Sequence, residues 1–395
     1  PGLPGPWGPP PGQPWDAWQQ PWGAPPPDPA AVRRRRRRAV AALVSVVGLL
    51  VAALVVDSVV EDRRQERVRA EVAALLPGLV AFVEQERGLP FLEEVDVEVL
   101  DDDAFLEALY EDDGDTAPEP PGDSEATLRA LGLVEEGTDL DEEVGEALDE
   151  GVVGFYDPRD ERLVVRGREV DAFVELVVVH ELVHALQDQH FDIDRPDLLE
   201  ADDERSTAFT ALLEGDAVRV ETAWYLAQSP ERQAEVDALG GGELAGTGDV
   251  VEALIGFPYY AGPGYVEALL AEGGQQALDA AFAEPPTTTG EVLAPDRVEP
   301  APAPPAPEPG GDVVDEGVLG VLGLALLTGA DPLDLDDALL GWRADRYATA
   351  QDGGSLCTTA HVVAEDPAAL RTALEEAGVE TGDGPGGTVL LRSCA

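Results

Sequence analysis

The stretch Val179-His180-Glu181-Leu182-Val183-His184 lies near the middle of a chain that contains only four histidines. On a helix, His180 and His184 lie one turn apart on the same face, so both imidazoles can point at one ion. Glu181 follows the first histidine directly, where its carboxylate can take a proton from an attacking water. The pattern predicts a zinc site with His180 and His184 as ligands and Glu181 as general base.

The residues around this motif predict one helix from Asp171 to Gln189. The two histidines continue a stripe that begins at Phe173, and apolar residues on most other sides predict that the helix is buried. Two core histidines satisfied by packing would explain His180 and His184 without a metal. That alternative leaves Glu181 as a buried, unpaired charge, so we favour the metal site.

A third protein ligand is required, and two residues qualify. His190 stands ten residues after His180, as in the three-histidine pattern HExxHxxGxxH, but Gln187 replaces the glycine and the chain has no methionine for a Met-turn. Glu214 lies in a second apolar-periodic segment, from about Glu204 to Leu226. A carboxylate from this second helix would complete a His2Glu site with one open position. We favour Glu214 and keep His190 as the alternative.

The segments His180–Asp192 (HELVHALQDQHFD) and Leu213–Ala217 (LEGDA) resemble gluzincin-type bacterial zinc metallopeptidases. The likeness covers roughly residues 88–375. It extends to four looser stretches, namely Gly154–Pro158, Phe257–Tyr260, Pro285–Leu293 and Gly341–Tyr347. Ala294 departs from it by standing where a histidine is expected. The resemblance implies Zn2+, a gluzincin fold and hydrolysis of a peptide or protein substrate, and it names no particular substrate.

The predicted fold class is α+β. One N-terminal transmembrane helix is followed by a gluzincin-like ectodomain with a small antiparallel sheet and active-site helices. A helical region and a small α/β C-terminal part complete the chain. A hairpin before the site could hold an extended peptide against its edge strand. The predicted segments are a disordered cytoplasmic tail (1–32), the Arg run and anchor (33–60), a juxtamembrane helix (61–87), the zinc-binding catalytic domain (88–235), a helical region with a Pro-rich insertion at 300–311 (236–345) and the C-terminal part (346–395).

The N-terminal charges predict a membrane orientation. Arg33–Arg38 precede the uncharged stretch Ala39–Val56, whose 18 residues would span about 27 Å as a helix, close to the hydrocarbon thickness. The positive-inside rule places the N-terminus in the cytoplasm and the rest of the chain outside the cell membrane. A cleaved signal peptide is the alternative, but the apolar stretch is long for one and no A-x-A site follows it.

Charge and cysteine content restrict the partners and the compartment. Residues 57–395 hold 78 acidic residues against 19 arginines, a formal charge of −59, which excludes nucleic acid and anionic lipid as expected partners. High solubility or adaptation to salt is the simplest explanation of this charge. Cys357 and Cys394 predict one disulfide in an oxidising compartment.

Several roles stay open at this stage. Asp216 is the acidic residue nearest Glu214 that could orient a ligand histidine, although it points to another side of the helix. The candidates for stabilising an oxyanion are Tyr259, Tyr260, Arg346, Tyr347 and His361. Two rival functions remain: an inactive zinc-binding sensor ectodomain on a peptidase scaffold, and a zinc amidase acting on cell-wall peptides.

Overall fold

The HExxH stretch lies in a long buried helix that packs against a three-stranded sheet and neighbouring helices. The computed structural model describes residues 63–111, 125–135, 137–138, 140, 143–145, 151–167, 169–199, 203–239, 249–297, 301–352 and 354–395. Residues Arg64–Ala395 form one compact unit of mixed α+β structure. No helix within these described ranges is long and apolar enough to cross a bilayer. The predicted tail and anchor, residues 1–32 and 33–60, lie outside them.

The first half of the unit contains three short strands and the helices that carry the motif. In chain order its elements are α1 (63–87), β1 (Asp96–Leu100), α2 (Asp102–Glu111), α3 (Glu125–Ala130), β2 (Gly154–Asp157), β3 (Arg162–Arg166), α4 (Ala172–Phe191), α5 (Pro196–Leu199) and α6 (Asp203–Ala227).

The second half begins with helices and ends in a sheet. Its elements are α7 (Pro230–Leu239), α8 (Asp249–Gly273), α9 (Gln275–Ala283), α10 (Thr289–Leu293), β4 (Asp312–Gly317), α11 (Gly320–Thr328), α12 (Asp337–Leu340), β5 (Trp342–Asp352), β6 (Ser355–Ala364), α13 (Pro367–Glu376), β7 (Glu380–Asp383), a 3-10 turn (Pro385–Gly387) and β8 (Val389–Cys394).

The sheet next to the motif is mixed, whereas the sequence predicts an antiparallel one. Its strand order is β1-β3-β2, with β2 antiparallel and β1 parallel to β3. The hairpin forms as predicted because the turn after Asp157 returns the chain directly. β1 precedes the hairpin by more than fifty residues, and this long connection lets it enter the sheet in the parallel sense.

Helices α6 and α8 cross at two glycines, and this crossing fixes the position of the second predicted ligand helix. A Cβ on Gly215 would lie 2.3 Å from the backbone carbon of Gly262, and one on Gly262 would lie 2.1 Å from the Ala211 carbonyl oxygen. The two backbones therefore touch, which no larger residue allows. Glu214 directly precedes Gly215, so the distance between Glu214 and α4 depends on this contact.

α8 joins residues that the sequence pattern assigns to separate helices. The pattern predicts helices around Val250–Leu254 and Tyr265–Phe282, and α8 runs from Asp249 through Pro258 and Pro263 to Gly273. The interruption comes later, at Gly274, whose φ of 64° separates α8 from α9. Packing of an apolar helix against α6 has overridden local propensity here.

The C-terminal sheet has five antiparallel strands in the order β4-β5-β6-β8-β7. β5 begins at Trp342, ahead of the predicted boundary at 346, and β4 and β7 are strands that the sequence pattern does not reveal. Cys357 and Cys394 face each other on β6 and β8 and form a disulfide. The Pro-rich residues 301–311 have no regular secondary structure, as expected from their composition.

Candidate metal centre

Helix α4 is held at both ends by aspartates. The side chain of Asp171 accepts hydrogen bonds from the N–H groups of Phe173 and Val174, which satisfies two free donors of the first turn. Asp192 ends the helix in the left-handed conformation, with a φ of 56°. Apolar side chains bury the helix against α1, β3 and α6. The two motif histidines are therefore fixed to a rigid element.

His180, His184 and Glu214 come together, with Glu214 supplied by α6. The distance between His180 Nε2 and Glu214 Oε2 is 2.9 Å, and that between the two Nε2 atoms is 3.0 Å. His184 Nε2 lies 3.4 Å from Glu214 Oε2. The three side chains are 11%, 12% and 13% exposed, so the cluster is sheltered from water but still accessible.

The outer nitrogen of each imidazole has its own partner, and these partners define the tautomers. His180 Nδ1 lies 2.8 Å from Glu221 Oε2, and a carboxylate can only accept, so Nδ1 donates. His184 Nδ1 lies 3.0 Å from Gln187 Oε1. The Gln187 amide donates its N–H groups to the Leu213 carbonyl and to Asp216, so its oxygen must face His184 as an acceptor.

A neutral ring that carries its proton on Nδ1 has a lone pair on Nε2. The site therefore directs two nitrogen lone pairs and one carboxylate oxygen at a common point, with no donor between them. In a tetrahedral zinc site with bonds of about 2.0 Å, ligand atoms lie about 3.3 Å apart. The three observed separations, 2.9, 3.0 and 3.4 Å, are close to that value. The residues present fit a zinc ion.

The pKa values of these groups reflect the same demand for positive charge. Burial lowers the pKa of His180, but its hydrogen bonds to Glu214 and Glu221 outweigh this effect and raise the pKa well above its ordinary value. Burial also lowers the pKa of His184, but the negative charge of Glu214 more than offsets this effect, so the net pKa is raised. Burial raises the pKa of Glu214, yet the two histidines hold it far below its usual range. These directions indicate that the cluster favours positive charge at the point where the three side chains converge.

Glu181 is buried beside the cluster and faces the edge of the small sheet. The backbone N–H of Tyr156 on β2 donates to its carboxylate. Gly154 on the same strand lets α4 pack closely, since a Cβ there would lie 3.1 Å from Val177 and 3.2 Å from the Val164 carbonyl oxygen. Burial raises the pKa of Glu181, and the neighbouring histidines offset only part of this rise. The carboxylate can thus both hold and release a proton next to the converging ligand atoms.

His190 does not join the cluster. Its Nε2 donates to the carbonyl oxygen of Pro90 at 2.8 Å, and the group of metal-competent side chains found among the described residues consists of His180, His184 and Glu214. The helix continues past Gln187 because no glycine breaks it there, so His190 stays on α4 and turns away from the ligand atoms.

The five candidates for oxyanion stabilisation lie in two places. Tyr259 stacks on His180, with ring centroids 6.1 Å apart, and is 46% exposed at the edge of the site. Tyr260, one residue further along α8, donates its hydroxyl to the Ala253 carbonyl. Arg346, Tyr347 and His361 belong to the five-stranded sheet, where Tyr347 donates to Asp315 and His361 to Pro305. Tyr259 is the candidate that contacts a ligand residue.

Two contributors to the site are missing from the sequence reading. Glu221, which orients His180, lies seven residues after Glu214, so a two-turn spacing on one helix face could have indicated it. Gln187 counts in the sequence as a departure from a glycine pattern, and it proves to be the partner of His184. Asp216 contacts neither histidine, because it points to another side of α6, and it accepts from Gln187 instead.

Fold and site together describe an α+β protein with a buried His-His-Glu cluster and an adjacent glutamate. Comparison of the chain with protein-family models, curated proteins and solved structures found no match. The functional conclusion therefore depends on the chemistry and geometry of the site itself.

Proposed function

We propose that this protein is a zinc metallopeptidase of the gluzincin type, with His180, His184 and Glu214 as metal ligands and Glu181 as general base and acid. The observation that carries the proposal is the convergence of three acceptor atoms within 3.4 Å of one another, with Glu181 beside them. A solvated helix that matched HExxH by chance would have no reason to meet a carboxylate from a second helix.

Residues of the chain would have separate roles in the hydrolysis. When bound, Zn2+ would supply a Lewis acid that polarises a carbonyl and makes water more acidic. Glu181 takes the proton of the attacking water and passes it to the leaving amine. Its raised pKa suits both steps, because a group that returns a proton must hold it for a time. Tyr259, whose ring stacks on His180, is the residue that we propose to assist the developing oxyanion.

The edge strand β2 supports a peptide as the substrate. β3 is its one strand neighbour in the three-stranded sheet formed by the described residues, so no described strand pairs with its other edge. On that edge the Tyr156 N–H donates to Glu181. An extended peptide added to this edge would run past Glu181 and the ligand atoms, paired through main-chain hydrogen bonds.

The metal content of the purified protein tests the ligand set. We expect one zinc per chain, lost in His184→Ala and in Glu214→Ala and kept in His190→Ala, which serves as the matched control because its ring makes its hydrogen bond elsewhere. Retention of zinc in Glu214→Ala together with its loss in His190→Ala would instead establish the three-histidine site. A wild-type chain that stays metal-free after zinc is supplied would reject the proposal.

Turnover tests the role of Glu181. Glu181→Gln keeps the size of the side chain and its contact with Tyr156 but cannot take a proton, so we expect full zinc content and a loss of peptide cleavage by about 10²–10⁴-fold. The measurement is cleavage of denatured casein and of purified cell-wall peptides by both proteins. Cleavage of the wall peptides alone would favour an amidase, and no cleavage of either by the zinc-loaded wild type would favour an inactive sensor.

We further propose that the catalytic unit is displayed outside the cell membrane on an N-terminal anchor. The Cys357–Cys394 disulfide supports an oxidising compartment, and the arginine run before residues 39–56 supports the orientation. Protease added to intact cells should remove the C-terminal region. Protection of that region in intact cells, with digestion after lysis, would contradict this topology.

A further inference from the structure

The last turn of α1 ends in an arginine that is nearly inaccessible to water. Arg87 is 1% exposed, and its Nε lies 2.7 Å from Oδ2 of Asp216, which is itself fully buried on α6. The guanidinium lies beside the stacked rings of Phe191 and Phe282, 5.6 and 5.8 Å from their centroids. A charge this deep is costly unless it is paired, so this ion pair fixes the end of α1 against α6.

The same carboxylate oxygen leads to the metal centre. Asp216 Oδ2 accepts from Gln187 Nε2 at 3.3 Å, and Gln187 Oε1 accepts from His184 Nδ1 at 3.0 Å. Four side chains therefore form one continuous path from α1, through α6, to a ligand on α4. Each link has a defined direction of donation, because arginine only donates, a carboxylate only accepts and the amide does both.

We propose that Arg87 is a positioning residue for the metal site, acting on His184 through Asp216 and Gln187. Arg87 holds Asp216 Oδ2 in place, while Arg219 contacts the other carboxylate oxygen. Asp216 together with the Leu213 carbonyl fixes the orientation of the Gln187 amide. That amide keeps the proton of His184 on Nδ1 and leaves Nε2 free to bind the metal. The inference deepens the proposed function and rests on its metal site: the end of α1 must dock on α6 for His184 to bind the ion in the correct geometry.

A purely structural role for Arg87 is the alternative. Arg87 also contacts Gln275 and Asp279 on α9, and its loss would loosen helix packing regardless of the metal. The two roles differ in one respect. If Arg87 acts through Gln187, its effect on metal binding must vanish once Gln187 can no longer accept from His184, whereas its effect on folding must persist.

A double-mutant cycle on the full-length chain separates these roles. The variants are Arg87→Met, Gln187→Leu and the double variant, and the probe is Co2+, whose visible absorption reports ligand geometry. We expect Arg87→Met and Gln187→Leu each to weaken Co2+ binding by about 10–100-fold and to alter the absorption spectrum. The double variant should match Gln187→Leu in affinity and spectrum, while its melting temperature falls further.

The chain contains a matched control. Arg166 is also buried, at 6% exposure, with Asp102 Oδ1 2.7 Å from its Nε and the Phe105 ring 5.4 Å from its guanidinium. Arg166→Met should lower the melting temperature without changing Co2+ affinity. If Arg87→Met does not fold, Arg87→Lys takes its place, because it keeps a charge on Asp216 but not the guanidinium geometry. Partial recovery of affinity and spectrum in Arg87→Lys is then expected.

Three results would overturn the proposal: wild-type affinity and spectrum in both Arg87→Met and Arg87→Lys, losses that add in the double variant, or an equal loss of affinity in Arg166→Met. These differ from failure of the proposed function. A wild-type chain that binds Co2+ and Zn2+ without cleaving peptides would reject the peptidase but leave the cycle interpretable. A wild-type chain that binds neither ion rejects both.

Discussion

At the residue scale, two glutamates of α6 have different roles because they face different atoms of the same ring. Glu214 reaches Nε2 of His180, the atom that converges with the other ligand atoms. Glu221 reaches Nδ1 and so determines where the ring carries its proton. A carboxylate on the outer nitrogen also makes the ring a stronger electron donor. The affinity of the proposed metal site would thus depend on a residue that is not one of its proposed ligands.

This arrangement predicts a graded response at Glu221. Glu221→Gln keeps an oxygen that can accept from His180 Nδ1, so we expect at most a small loss of zinc affinity. Glu221→Leu removes the acceptor and should weaken zinc binding by about 10–100-fold. Competition with a coloured chelator measures both. Equal affinities in the two variants would show that the hydrogen bond to His180 does not matter for the metal.

The convergence of His180 and His184, with Glu181 beside them, is predictable from sequence because HExxH spacing on a helix places the two histidines one turn apart on one face. Glu214 is less certain from sequence, since its place depends on how α6 packs on α4. Gln187 could not be assigned at all. Its role appears only when Asp216 and Leu213, 29 and 26 residues away, fix the direction of its amide.

At the element scale, the crossing of α6 and α8 sets the depth of the ligand cluster. Gly215 and Gly262 allow the two backbones to touch next to Glu214. Three residues before Gly262, Tyr259 stacks on His180. The same close approach therefore positions one ligand and one candidate for oxyanion stabilisation. A wider crossing would move both relative to α4.

Two glycines of α8 offer a matched test of this crossing. Gly262→Ala forces a Cβ against the Ala211 carbonyl, where backbone must move, and we expect a loss of about 1–3 kcal/mol of unfolding free energy together with weaker zinc binding. Gly264→Ala meets nothing within 4 Å and should stabilise the helix by about 1 kcal/mol. Chemical denaturation and zinc titration measure both effects. Unchanged stability in Gly262→Ala would contradict the close crossing.

Elements with strong local signals are the ones that the sequence predicts well. α4 and α6 are long and apolar-periodic, and their observed bounds lie within two residues of those expected. β4 and β7 lack such a signal: Asp312–Gly317 and Glu380–Asp383 are mostly acidic or glycine-containing and become strands only by pairing at the sheet edges. The parallel placement of β1 likewise depends on tertiary contacts rather than on local sequence. Long-range pairing of this kind leaves no periodic trace in the chain.

At the scale of the whole molecule, charge and covalent structure act on different states. The disulfide joins residues 37 apart in sequence that already pair across β6 and β8, so its main effect is to restrict the unfolded chain. The formal net charge of −55 acts on the folded state, where carboxylates are brought closer together than in the open chain. The acidic residues outnumber the arginines, 80 to 25, so negative charge dominates.

Self-repulsion of this size predicts that salt stabilises the protein. Raising NaCl from 0.1 to 1 M shortens the screening length from about 10 to about 3 Å, so we expect the melting temperature to rise by several degrees, mostly below about 0.5 M. NaCl and KCl should give the same curve, because screening depends only on ionic strength. The measurement is thermal unfolding with zinc held saturating, so that metal loss does not contribute. A melting temperature that falls with salt would mean that exposed ion pairs such as Arg297–Asp337, which salt screens, outweigh the net repulsion.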